Sequence, residues 1–195
     1  EAQVANLADE ITYYSHDLDD GLDARLLDEK KLRKNVEIWR NAARTVEKQF
    51  GPLADDECRR YFTIRCLIDM QVKDVVETTE KHIAAAGVNS ADDVRLQARS
   101  LVLYSPKRRD QNLELRDYLY QNLYYNPVVH QPNMRAVRML EHLFNHFIEH
   151  PESIGELSRK RIRKDGRHRA VCDYLAGMTD RYAIMEYQRL FGVQI

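Results

Sequence analysis

Apolar residues recur every three or four positions through most of the chain, the spacing of helices that each bury one face. Val4, Leu7, Ile11, Tyr14 and Leu18 form one stripe over residues 3–18, and DLDDGL after it reads as a turn. Leu32, Val36, Trp39, Ala43, Val46 and Phe50 form a second stripe. Gly51-Pro52 should stop that helix, since a glycine takes the terminal left-handed position and a proline cannot continue the ladder. Asp55 or Asp56 is placed to cap a long third helix through Tyr61, Ile64, Leu67, Ile68, Val72, Val75, Val76 and Ile83, ended by Gly87; it is the best core candidate. Ser90 with Asp93 predicts a short capped helix, SLVLYSP an extended connector, and two further helices follow near 107–124 and 133–149. A last helix carries Val171, Leu175, Met178, Tyr182 and Met185 on one face, with Ala176, Gly177, Thr179 and Ala183 as small neighbours where another backbone can approach. The prediction is an all-α bundle of about six main helices, forming a single unit over 1–195 around one core.

Composition narrows this further. Gly 7 and Pro 5 in 195 residues leave few turn formers for a many-stranded β fold. Lys+Arg 30 against Asp+Glu 31 excludes a polyanion binder driven by net charge. No apolar run reaches the roughly 20 residues of a membrane span, and no basic, then apolar leader opens the chain. Cys58 and Cys66, eight residues apart on the third helix, lie roughly 12 Å apart, beyond disulfide reach. A reducing, cytoplasmic setting is expected. The one shift in composition is RKRIRKDGRHR at 159–169, seven basic residues and one acidic. It reads as a solvated loop or, alternatively, a grip for phosphates or nucleic acid, although it has no interleaved aromatic to stack a base.

Three groups of side chains invite chemistry. Asp9, Tyr13 and Asp17 are spaced i, i+4, i+8, a row of roughly 12 Å along the first helix and opposite its apolar stripe. Such a row is a solvated acidic face unless an opposing wall meets it. With one, a carboxylate for a hard metal, a ring beside a sugar and a carboxylate for a hydroxyl suit a nucleotide. His142, His146 and His150 lie along one face of another helix, where i, i+4 imidazoles can share zinc, but they also sit where solvent-facing residues belong. Arg59, Arg60 and Arg65 make a basic group suited to a triphosphate. The doublet His16-Asp17 diverges by about 100° and is a poor ligand pair. DLDDG fails as a calcium loop because Gly21 falls at the fifth position from Asp17 rather than the sixth. No phosphate-binding G-x-x-x-x-G-K-[ST] loop, G-x-S-x-G elbow or C-x-x-C pair occurs.

Two segments carry a specific resemblance. EAQVANLADEITYYSHDLDDGL at 1–22 resembles the stretch around the last metal-binding aspartate of the HD-domain deoxynucleoside triphosphate triphosphohydrolases (dGTPase and dGTPase-like proteins), and VCDYLAGMTDRYAIMEYQRLF at 171–191 resembles their DYIAGMTDR-type C-terminal helix. IRCLIDMQVKDVVETT at 64–79 and ELRDYLYQNLYYNPVVHQPNMRAVRMLEHLF at 114–144 fit more loosely, so the likeness spans the chain and corresponds to the family's C-terminal half. It implies the C-terminal portion of an HD-domain-like helical bundle, and a parent protein that splits a dNTP into deoxynucleoside and tripolyphosphate. The family's divalent metal (Mg or Mn) is bound by a histidine, a His-Asp doublet and a later aspartate. By the match Asp9 is that later aspartate, Tyr13 sits against the sugar, Asp17 near the 3′-hydroxyl, and Arg60 at a phosphate. His16-Asp17 is not the family's doublet, which precedes the last aspartate. Glu1 falls inside what reads as a helix, so the chain reads as a piece of something longer. With one ligand of four it is expected to be inactive alone, and no catalytic residue is assigned within it. Asn126-Pro127 in YYNPVV stands where the family pattern has a histidine after the tyrosine. The resemblance also implies homo-oligomers and, in some members, nucleotide effectors. The competing expectation is a non-catalytic helical module for interaction or oligomerisation.

Overall fold

The computed structural model describes residues 1–51 and 55–192, and among them it contains ten α-helices and no strand. The all-α expectation holds, with more helices than the periodicity suggested. Pro52, expected to block the second helix, lies outside the described residues. The chain divides into two compact units, Glu1–Asn126 and Pro127 onward. Each has its own hydrophobic cluster, where one core was expected.

The first unit holds α1 (Ala2–Asp23), α2 (Glu29–Asn35), α3 (Glu37–Phe50), α4 (Asp56–Ala86), α5 (Ala91–Arg95) and α6 (Pro106–Leu119). A single π-helical turn over Tyr120–Tyr124 extends α6. DLDDGL, read as a turn, is the last part of α1 instead. The chain leaves that helix through Arg25 in the left-handed region, with the Leu26 and Leu27 amides donating to the Gly21 carbonyl at 2.9 Å each. The Asp28 carboxylate then accepts from the amides of Lys30 and Lys31 and caps α2.

The stripe from Leu32 to Phe50 is broken at Val36, whose backbone is extended and whose side chain is fully buried. A β-branched residue tolerates that conformation well, and the Glu37 amide beside the break donates to the Glu114 carboxylate at 2.6 Å. Asp55 caps α4 by accepting from the Cys58 amide, and Gly87 in the left-handed conformation ends it, both as expected. As a core element α4 contributes less than its pattern promised. Ile64 and Leu67 are buried, but Val72, Val76 and Ile83 are exposed, so only its N-terminal half packs into the cluster of Leu18, Leu32, Ile38, Trp39, Leu115 and Leu119. Ser90 caps α5 by accepting from the Asp93 amide.

The second unit holds α7 (Pro127–Glu149), a 3₁₀ turn at Pro151–Ser153, α8 (Glu156–Asp165), α9 (Arg167–Ala176) and α10 (Asp180–Phe191). α7 begins six residues earlier than predicted, because Pro127 suits a first helical position and Pro132 is accommodated inside the helix. The basic run read as a loop is helical up to Gly166, held by i, i+4 pairs Lys160–Glu156 and Arg161–Asp165 at 2.8 and 2.9 Å. The expected last helix is two helices, parted at Gly177, with the Thr179 hydroxyl capping α10. The break resets the helical phase. Val171 and Ala183 join Met139, Leu143, Phe147 and Ile154 in the core, whereas Tyr182 and Met185 turn to solvent. No helix among the described residues is long and apolar enough to cross a membrane.

Candidate active-site wall on the first helix

α1 buries Ile11, Ser15, Leu18 and Gly21 against the first core, which fixes the rotation of the helix. The row Asp9, Tyr13, Asp17 is thereby turned outward. Asp9 is exposed, Tyr13 is 54% exposed, and Asp17 is half-buried. What separates this row from an ordinary solvated face is Tyr124, whose hydroxyl donates to the Asp17 carboxylate. The π turn carries Tyr124 there, closed by the Tyr125 amide donating to the Tyr120 carbonyl five residues back at 3.0 Å. π turns concentrate at functional sites because they redirect side chains within a helix.

An aromatic group surrounds the pair. The Tyr13 and Tyr124 rings lie 6.4 Å apart, Tyr13 meets Tyr14 edge-on at 5.5 Å, and Tyr120 meets Tyr124 edge-on at 5.0 Å. Burial, and after it the hydrogen bond to Asp17, push the Tyr124 phenol far above its ordinary value of 10.0, so it remains a protonated donor at any physiological pH. Asp17 is thus held as an oriented acceptor beside a half-exposed ring, an arrangement that can meet a hydroxyl donor and an apolar face. Sequence reasoning missed Tyr124. The signal was the YYNP stretch, noted for the histidine it lacks rather than for the tyrosines it has.

The other assigned residues fall elsewhere. Arg60 on α4 reaches α1, but at Asp19 (3.1 Å) and Asp23 (3.2 Å). At about 100° per residue Asp19 points some 160° away from Asp17 around the helix, so Arg60 is not brought to the row. Arg59 pairs with Asp56 and Glu29, and Arg65 lies over the Tyr61 ring. In the second unit His142 contacts the Tyr187 hydroxyl at 2.9 Å and His150 contacts Glu152 at 3.2 Å, while the His146 and His150 rings lie 4.8 Å apart. Arg161 and Arg169 of the basic run both bind Asp173, at 2.6 and 2.8 Å, so part of that charge is neutralised internally.

Nowhere among the described residues do three His, Cys, Asp or Glu side chains converge in a way that would hold a metal ion. Asp9 supplies one exposed carboxylate, and a stable divalent site needs several ligands. The residues of this chain therefore do not by themselves fit the divalent metal that the resemblance implies. Cys58, Cys66 and Cys172 are all free thiols.

Residues 102–189 match the phosphohydrolase-associated domain, a stretch that takes in Tyr124 and most of the second unit. The chain is 38% identical over 191 residues to a deoxyguanosinetriphosphate triphosphohydrolase-like protein of Geobacter sulfurreducens, covering 98% of this chain and 49% of that protein. The figures are the same for the Geobacter metallireducens protein of that name, and 37% over 193 residues for that of Azoarcus sp., covering 99% and 50%. The chain is thus similar along nearly its whole length to deoxyguanosinetriphosphate triphosphohydrolase-like proteins, and it spans about half the length of the curated relatives it matches.

Proposed function

We propose that this chain forms the sugar-binding wall of a metal-dependent dNTP triphosphohydrolase, which in its whole form converts a dNTP such as dGTP into deoxynucleoside and tripolyphosphate. The observation that carries the reading is the Tyr124–Asp17 hydrogen bond beside Tyr13, a preset acceptor and ring on an otherwise solvated helix face. Asp17 accepts from the 3′-hydroxyl, and Tyr13 packs on the deoxyribose. A hydrogen-bonding pair plus close packing is the kind of site that discriminates among sugars. Asp9 contributes one ligand to a divalent metal whose other ligands lie in parts of the whole protein outside this chain, and the 195-residue chain alone does not turn over. Arg60 serves the phosphates only if they displace Asp19 and Asp23 from it.

The test is incubation of the whole protein with dGTP and Mn²⁺ and identification of the products by mass spectrometry. Tripolyphosphate with free deoxyguanosine is expected. Asp9→Ala should abolish turnover, and Asp17→Ala should act mainly through a raised KM. Undiminished turnover by the Asp9 variant would sink the assignment.

One observation favours a second reading, an interaction or homo-oligomerisation module. The second unit carries two adjoining clefts of about 460 and 600 Å³ that share Leu140, Leu175 and Ala176. Absence of turnover by the whole protein, together with self-association measured by sedimentation, would favour it.

A further inference from the structure

Charge is divided unevenly between the two units, although the chain as a whole is balanced. Residues 1–126 hold nineteen Lys and Arg against twenty-three Asp and Glu, and residues 127–195 hold eleven against eight. The excess in the second unit comes from α8 and the start of α9, where every Lys and Arg from Arg159 to Arg169 is exposed. Some of these are engaged within the unit. Arg161 and Arg169 bind Asp173, and Arg167 donates to the Ile148 carbonyl at 3.2 Å. Arg159, Arg163 and Lys164 differ, because among the described residues their side chains meet no carboxylate and no other acceptor. Ile162 packs against the second core and fixes the rotation of α8. At about 100° per residue the three cations spread over about 140° of the helix surface, an arc that excludes Ile162. Lys160 lies inside that arc. Its pair with Glu156 at 2.8 Å is exposed on both sides, the kind of pair that contributes little and is readily exchanged for another anion.

Four cations side by side over about 7.5 Å of helix axis are matched by a chain of phosphates, which neutralises them together and gains the release of its own counterions. Binding of this kind draws on local arrangement and not on the summed charge of the protein. The stretch 151–173 contains no Phe, Tyr or Trp, so it offers no platform on which unpaired bases could stack. A duplex, whose bases are already stacked and whose two strands double the density of phosphates, meets this surface better than a single strand. An anionic membrane is a poorer match. Leu157 is the one large exposed hydrophobic residue on α8, whereas a membrane-surface helix buries a whole apolar face.

We propose that α8 is a docking surface for the phosphate backbone of a nucleic-acid duplex, held without regard to base sequence by Arg159, Arg163, Lys164 and, once exchanged from Glu156, Lys160. The surface lies within the second unit and does not rest on the function proposed above.

The test is fluorescence anisotropy of a labelled, mixed-sequence DNA duplex of about 20 base pairs, titrated with the full chain over a range of salt concentrations. With three to four phosphates neutralised, the logarithm of affinity should fall against the logarithm of salt with a slope of about −2.7 to −3.6, a loss of roughly 40- to 150-fold between about 50 and 200 mM. A duplex of unrelated sequence should bind within about threefold, and one separated strand at least about fivefold more weakly. Arg159→Gln, Arg163→Gln and Lys164→Gln combined should cost at least about tenfold in affinity and take the slope to about −1. Arg163→Gln alone should reduce the slope by about one, and serves if the combined variant does not fold. Lys34→Gln, Lys48→Gln and Lys81→Gln combined remove the same charge from exposed positions of the first unit, and should leave affinity unchanged within about twofold. No binding at about 50 mM salt, a slope shallower than about −2, full affinity in the α8 variants, an equal loss in the first-unit variant, or binding to the single strand or to phosphatidylserine vesicles as tight as to the duplex would each overturn the proposal.

Discussion

Tyr124→Phe removes one oxygen and leaves the ring in place, so it isolates the hydrogen bond to Asp17. The carboxylate is half-buried and the donor part-buried, which allows water to replace the lost phenol in part. A hydrogen bond to a charged group contributes about 1.5–3 kcal/mol when well enclosed, so a loss of about 1–2 kcal/mol is expected here. With a urea dependence of roughly 2 kcal/mol per molar, that is a fall in midpoint of about 0.5–1 M. Two units with separate cores need not unfold together, and a helix-averaged signal would mix them. Trp39 resolves this. It is the one tryptophan of the chain, fully buried in the first core, so its fluorescence follows the first unit alone. A double-mutant cycle with Asp17→Ala should return a coupling of about 1–2 kcal/mol. A coupling below about 0.3 kcal/mol would show that the phenol and the carboxylate do not support one another, and the preset acceptor on which the functional reading depends would be gone.

Two further perturbations follow from the first unit. Alanine normally improves a helix over glycine by about 1 kcal/mol, but a Cβ on Gly21 would stand 2.7 Å from Leu27 Cδ1 and 3.2 Å from Leu123 Cδ1. Gly21→Ala should therefore destabilise the unit by about 1–2 kcal/mol in the Trp39 signal, and a stabilised variant would refute this packing. Arg33 donates to both carboxylate oxygens of Glu47, at 2.5 and 2.7 Å, and this holds the Glu47 pKa below its ordinary 4.5. A depressed folded-state pKa stabilises above the unfolded value and is lost as pH falls through the folded one. The difference in melting temperature between the unaltered chain and Glu47→Gln should thus be present at neutral pH and shrink below about 4.5, whereas a constant difference would exclude the linkage.

Helix content and most caps were legible because they depend on local chemistry. Asp55, Gly87 and Ser90 act on backbone groups within a few residues of themselves. The breaks at Val36 and Gly177 were not legible, since each falls inside an unbroken apolar rhythm and depends on where that side chain or turn packs in three dimensions. Val72, Val76 and Ile83 continue the stripe of α4 beyond the point where another helix covers it, and periodicity carries no information about where a neighbour ends. The row on α1 was visible from spacing, but its partner Tyr124 lies 107 positions from Asp17. Arg60 was placed by likeness to a family, and nothing in its surroundings foretold that Asp19 and Asp23 would hold it.

The π turn at the end of α6 has a consequence for how this protein can vary. Within an α-helix, position along the chain fixes direction around the axis, and a residue added or removed rotates everything beyond it by about 100°. The turn at Tyr120–Tyr124 spends one residue without a full α-helical step. Length and direction are thereby adjusted separately at the place where the phenol must face Asp17. Deleting one residue there would lengthen the regular helix while swinging the phenol off its carboxylate. In this stretch the count of residues, as much as their identity, specifies the site.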